Sequence, residues 1–342
     1  MSVLKSLLVP ALCAALLGGC GGSSSRVEDY VPTRLVAFGD ELSLINANGS
    51  KYSVNALQSD GTTLDCVIYP VWPQIVASGY GMIFPECNPA AAATTVAVMK
   101  ATAGAKVADV VAAVAAYEAT TVFTPQTLIT VMAGQNDILA AYTAYDAGTL
   151  TRAAAKTQVA AAGKTLGALV NRVANQGSGA RVLYATPPNV GYSPYASTEI
   201  TRTGDADRGV LLRELTLAFT GGLRLEVTND GRYAALITAD ELIVSLSDPT
   251  KMTANALTNI TDASCTVAMP GCTTATLVSG AGAVGTTYLW ADAQRPSVLF
   301  QNRVGVAALN RARNNPFWPR RPPHRPRRPA PPAPRPPPPA GG

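Results

Sequence analysis

Histidine is almost missing from this chain. The one copy, His324, sits in a proline-rich C-terminal stretch, so the body offers no imidazole for proton transfer or zinc binding. Charged residues are also sparse, at 14% against 47% hydrophobic residues, which is enough apolar material for a sizeable core. The formal charge of +5 is uneven: one lysine, Lys5, lies in the N-terminal stretch and six arginines lie from Arg320 onward. Setting those seven aside leaves 20 cations against 22 acids, about −2 for the body. A body of that balance carries no nucleic-acid footprint.

Long apolar runs are few. The stretch from Met1 to Gly19 carries one cation and then an apolar run through Leu17. It is shorter than the ~20 residues a membrane span needs, and it reads as an export signal. Its ending, Leu17-Gly18-Gly19-Cys20, resembles a bacterial lipoprotein box, which implies that Cys20 is lipidated and anchors the protein in a membrane. An ordinary signal peptide with an incidental cysteine is the alternative. Residues 20–32 then form the lipidated cysteine and a flexible tether, and the absence of aspartate just after Cys20 fits the outer membrane of a cell envelope.

Cysteine is scarce but even in number once Cys13 and Cys20 are set aside: Cys66, Cys87, Cys265 and Cys272 remain. In an oxidising compartment this predicts two disulfides. Local pairing, Cys66–Cys87 and Cys265–Cys272, is the simplest of three connectivities. No zinc spacing is present, and no metal or cofactor is expected.

Along the body, Leu35-Val36-Ala37-Phe38 reads as a buried strand broken by Gly39 and Asp40, with Asp40 capping the next turn or helix. Glu41 is thereby presented at the strand's C-terminal edge, where open α/β sheets keep their crevices. Residues 51–67 read as a polar loop with a hairpin, and 71–77 as a helix. Gly104 marks a turn before a helix over 107–117. A second apolar run, 128–133, ends in Gly134-Gln135-Asn136-Asp137, with a helix from about Ile138 that Asp137 caps. A long helix spans 153–173, with Leu166, Leu169, Val170 and Val173 as its apolar stripe. Strands are expected at 181–186 and 234–238 and helices at 209–225 and 298–313. Residues 187–194 read as a loop, and 252–287 as an irregular excursion over the active-site edge.

Three blocks carry a resemblance: Phe38-Gly39-Asp40-Glu41-Leu42, Gly134-Gln135-Asn136-Asp137, and Asp292-Ala293-Gln294-Arg295-Pro296. In this order they resemble the Gly-Asp-Ser-Leu, Gly-x-Asn-Asp and Asp-x-x-His-Pro signatures of the SGNH (GDSL) esterases and lipases. The resemblance covers residues 33–315 as one hydrolase-like domain. It implies a three-layer α/β/α sandwich on a central, mostly parallel, flavodoxin-like sheet. It also implies a tryptophan-bearing helix near Trp72, a proline loop at 187–194 that lines the cleft or lies on the surface, and acyl-ester chemistry. By the same resemblance, the backbone of Gly104 and the side chain of Asn136 are oxyanion donors, although Gly104 also fits a plain turn. Gly134 lets the backbone pass close to the site, Asp40 belongs to the nucleophile block, and Asp292 is the triad acid.

Two reactive letters differ. Glu41 stands at the serine position and Arg295 at the histidine position. Arginine stays protonated and cannot serve as the base. Ser43, two residues on, would point about 200° away in a helical turn. The two changes are complementary in charge, so a bidentate Glu41–Arg295 pair backed by Asp292 is expected. The expected role is a cleft that has lost acyl transfer and binds a glycan, an acyl group or a partner protein. An enzyme working through Glu41 and a structural envelope tether are the alternatives. Oligomeric state has no signal.

From Pro316 the composition changes: 13 of 26 prolines and six arginines fall in residues 316–342. No core forms from such a segment, and polyproline II or disorder is expected. It reads as a wall-spanning spacer, a contact for anionic lipid or glycan, or a non-adaptive extension.

Overall fold

A computed structural model describes residues 30–228 and 231–314. The expected export signal 1–19, the expected lipidation site Cys20, most of the expected tether and the stretch 316–342 lie outside these residues. The elements are, in chain order, strand β1 (Arg34–Gly39), the hairpin strands β2 (Ala56–Leu57) and β3 (Leu64–Asp65), helix α1 (Trp72–Gly79) and strand β4 (Ala97–Met99). Next come α2 (Val107–Glu118), β5 (Thr127–Met132), α3 (Gln135–Asp146), α4 (Arg152–Asn175), β6 (Arg181–Ala185), α5 (Pro194–Thr203) and α6 (Asp207–Glu226). The last are β7 (Ala234–Ile237), α7 (Ala239–Leu246), β8 (Asn259–Ala263), β9 (Tyr288–Trp290) and α8 (Val298–Arg313).

Five strands make one parallel sheet in the order β4-β1-β5-β6-β7. Strand alternation splits its core in two. Val36 and Phe38 of β1 face one layer, with side chains of α2, α3, α4 and α6. Leu35 and Ala37 face the other, with Trp72 and Val76 of α1, Ile243 of α7, and Phe300 and Val304 of α8. The result is a three-layer α/β fold on a parallel central sheet. In this order the chain leaves β1 toward β4 and returns to β5, so the switch point of the sheet lies between β1 and β5, where α/β sheets open a crevice.

Gly39 ends β1 and Gly134 lies two residues past the end of β5, and neither tolerates a side chain. Gly39 has φ 138°, and a Cβ there would sit 2.1 Å from the Met132 carbonyl oxygen. Gly134 has φ 120°, and its Cβ would fall 2.3 Å from the Phe219 ring.

The cysteines pair as Cys66–Cys87 and Cys265–Cys272. Such bonds persist in oxidising compartments. No helix among the described residues is long and apolar enough to cross a membrane.

Several boundaries differ from the sequence expectation. The helix after the second block starts at Gln135, with Gly134 as its N-cap, and not near Ile138. Residues 187–191 are buried, so this stretch is not a surface loop, and α5 begins at Pro194, capped by Ser193. A short helix, α7, comes after β7, and β4 adds an edge strand. The excursion 252–287 contains β8, which pairs in parallel with β9. In the 51–67 loop, Lys51 and Asn55 are almost fully buried.

Candidate functional site

The site forms at the switch point, where β1 ends at Gly39 and Gly134 follows the last residue of β5, Met132, by two positions. After Gly39 the Asp40 N–H donates to the Met132 carbonyl at 3.1 Å, which holds the two strand ends together. Asp40 then caps a single 3₁₀ turn, Glu41–Ser43, with Oδ1 accepting from the Leu42 N–H at 3.0 Å. This turn aims Glu41 across the end of β5.

Glu41 is only 2% exposed, and both of its carboxylate oxygens are engaged. Oε2 accepts from the Gly104 N–H at 2.9 Å and from Asn136 Nδ2 at 2.9 Å. Oε1 accepts from Arg295 Nη2 at 2.8 Å and Nε at 3.2 Å. The expected fork of two parallel bonds is therefore not formed. Both guanidinium nitrogens serve one oxygen, because Gly104 and Asn136 already hold the other. Arg295 Nη1 donates to Asp292 Oδ2 at 2.7 Å. Asp292 Oδ1 accepts the backbone N–H groups of Gln294 (2.8 Å) and Arg295 (2.6 Å). The third block is thus a tight turn whose acid fixes both the backbone and the guanidinium of Arg295. Glu41, Gly104, Asn136, Arg295 and Asp292 come together as one cluster.

Burial alone would raise the Glu41 carboxyl. The Asn136 amide, the Arg295 charge and the Gly104 N–H outweigh it and hold the group below the usual glutamate range. Burial likewise opposes the charge on Arg295, but Asp292 and Glu41 raise its pKa further. Asp40 goes the other way: burial, reinforced by the adjacent Glu41 charge, pushes it well above the ordinary carboxylate range. Asp40 was expected beside the cleft, but it has no exposed surface, and its Oδ2 has no hydrogen-bond partner.

One expected role is corrected. Asp137 does not cap its own helix. Its Oδ2 accepts the Val107 N–H at 3.0 Å and so caps α2, the helix that begins shortly after Gly104. Gly134 has a packing reason as well: a Cβ there would meet the Phe219 ring at a positive φ, and as N-cap it stands two residues before Asn136. Ser43 is fully buried and accepts the Trp72 indole N–H at 3.0 Å, away from the cluster.

Sequence reasoning missed the roof of the site. The Tyr52 ring lies against the Arg295 guanidinium, with Cζ 5.4 Å from the ring centroid. Tyr52 is held between two buried anchors. Lys51 Nζ donates to the carbonyls of Cys66 (3.0 Å) and Ile68 (2.8 Å). Asn55 Nδ2 reaches the carbonyls of Pro270 (3.1 Å) and Cys272 (2.9 Å). Burial lowers the Lys51 pKa to about 8. Lys51 and Asn55 are spaced by four in a segment whose composition reads as an exposed loop, so no sequence signal marked them. Among the described residues no group of three or more His, Cys, Asp or Glu side chains is placed to hold a metal.

No protein-family model and no curated protein matches the chain. Solved structures resemble it at low identity. A lipolytic protein of the G-D-S-L family from Veillonella parvula is 10% identical, covers 81% of this chain and 96% of its own, and has a TM-score of 0.38. A phospholipase A1 from Streptomyces albidoflavus is 14% identical over 81% of this chain and 97% of its own, with a TM-score of 0.42. The M. smegmatis aryl esterase is 14% identical over 82% and 98%, with a TM-score of 0.37.

Proposed function

We propose that this chain is a lipid-anchored envelope protein on an esterase-like scaffold that does not carry out acyl transfer and uses its cleft for binding. A glycan, an acyl group or a partner protein is the ligand class. One observation carries the reading: the carboxylate of Glu41 fills the space between the Gly104 N–H and the Asn136 amide. By the resemblance, those two donors would receive a developing oxyanion during ester hydrolysis. Occupied by a permanent anion, they have nothing left to stabilise.

The chemistry around them agrees. A serine-type mechanism needs a hydroxyl nucleophile and a neutral base, and this cluster has a carboxylate and a guanidinium at those positions. Ser43 is committed to Trp72. A Glu41-based hydrolase would need a basic, accessible carboxylate, whereas this one receives four hydrogen bonds and has a lowered pKa.

The reading is tested by the double substitution Glu41→Ser plus Arg295→His, which empties the donor pair and rebuilds a Ser–His–Asp292 set. The native chain is expected to leave a nitrophenyl acyl ester at the buffer rate, and the double variant to gain turnover. Turnover by the native chain that the double variant loses would overturn the proposal.

A further inference from the structure

We infer that Gly104, Asn136 and Arg295 form a preorganised carboxylate-binding site for which Glu41 is the built-in ligand, and that a free small carboxylate takes this site once the Glu41 side chain is removed. The inference goes beyond the binding role proposed for the cleft, since it concerns what the donors around Glu41 accept once that side chain is removed. The donors supply an N–H and an amide for one oxygen and a guanidinium edge for the other, at 2.8 to 3.2 Å. That is a full set for a carboxylate and a poor one for a neutral group, since one oxygen faces a cation.

The elements that carry the donors have anchors other than Glu41. Gly104 precedes α2, whose first N–H is held by Asp137. Asn136 lies in the first turn of α3 and also donates to the Ala105 carbonyl at 3.1 Å. Arg295 is braced by Asp292 and backed by Tyr52. The Arg295 side chain is 21% exposed and Asp292 19%, so a solute can reach the guanidinium from solvent. In the native chain the site is filled, and added carboxylate has nowhere to bind.

The test rests on atom counting. Glu41→Ala deletes Cγ, Cδ and both oxygens, the heavy atoms of an acetate ion. Glu41→Gly deletes Cβ as well, which leaves the outline of propionate. Thermal unfolding of the full chain is monitored during titration with acetate, propionate and neutral acetamide. Glu41→Ala is expected to gain stability saturably with acetate, and to bind it at least about tenfold more tightly than acetamide, because the charge pairing with Arg295 is lost in the amide. Glu41→Gly is expected to prefer propionate, and the native chain to be indifferent to all three. Should either variant fail to fold alone, acetate or propionate, but not acetamide, should restore folding. No gain from carboxylate in either variant, or equal gain from acetamide, overturns the inference. Ester turnover by the native chain would instead overturn the proposed function and leave the carboxylate result standing.

Discussion

Arg295 places Nε and Nη2 on a single oxygen of Glu41, at 3.2 and 2.8 Å, across 254 positions of sequence. This one-sided pairing leaves the other oxygen to Gly104 and Asn136, so the carboxylate is neutralised from both flanks. Glutamine cannot reproduce it. Whichever way the amide of a glutamine is turned, its NH₂ faces a donor, either Arg295 or the Gly104–Asn136 pair. Glu41→Gln should therefore cost about 3 kcal/mol, toward the lower end for a broken buried pair because Arg295 reaches solvent. Urea denaturation of the native chain and the variant checks this, and a change below about 0.5 kcal/mol would mean that the network contributes little.

The pH dependence has two opposed parts. The folded-state pKa of Glu41 is lowered, so its contribution is present above the ordinary glutamate value of about 4.3 and is lost as pH falls through the folded-state value. Asp40 is raised, so the native state keeps a proton that the unfolded chain releases from about pH 3.9 upward, and stability declines as pH rises toward the folded-state value. Asp40→Asn keeps an acceptor for Leu42 and cannot ionise. Its stability relative to the native chain should increase as pH rises above about 4, the ordinary aspartate value, toward the raised folded-state value. Parallel curves would indicate that Asp40 is charged in the folded protein.

Ser43 Oγ is the acceptor for the Trp72 indole. Ser43→Ala should cost about 1–2 kcal/mol by orphaning a buried N–H. In the Glu41→Ser plus Arg295→His background it should leave ester turnover unchanged. A loss of that turnover would give Ser43 a chemical role.

Gly134→Ala drives a Cβ into the Phe219 ring at a φ of 120°. The combined strain and overlap should cost about 3 kcal/mol or more, visible as a lowered denaturation midpoint.

Much of the fold was legible in the sequence where local chemistry and burial agree. The apolar run Leu35 to Phe38 marked β1, and the stretch 298–313, read as a closing helix, is α8, with Phe300, Val304 and Ala308 buried. The ordered blocks pointed to residues 41, 136 and 295 as neighbours, and the structure brings them together. Short elements held by tertiary contacts were not legible. α7 is eight residues long, and α5 is polar, with Thr198 and Thr201 bonding back to their own helix. Lys51 and Asn55 were hidden because their partners are backbone carbonyls, which no side-chain pattern announces. Asp137 was assigned to its own helix because the helix it does cap arrives from 30 residues earlier.

The carboxylate of Glu41 occupies the Gly104 N–H and the Asn136 amide, and the proposed loss of acyl transfer follows from that occupancy. Nitrophenyl acetate turnover by the purified native chain, measured beside Glu41→Gln, tests it most directly. Both proteins should match the buffer rate; turnover by the native chain that Glu41→Gln abolishes would contradict the account.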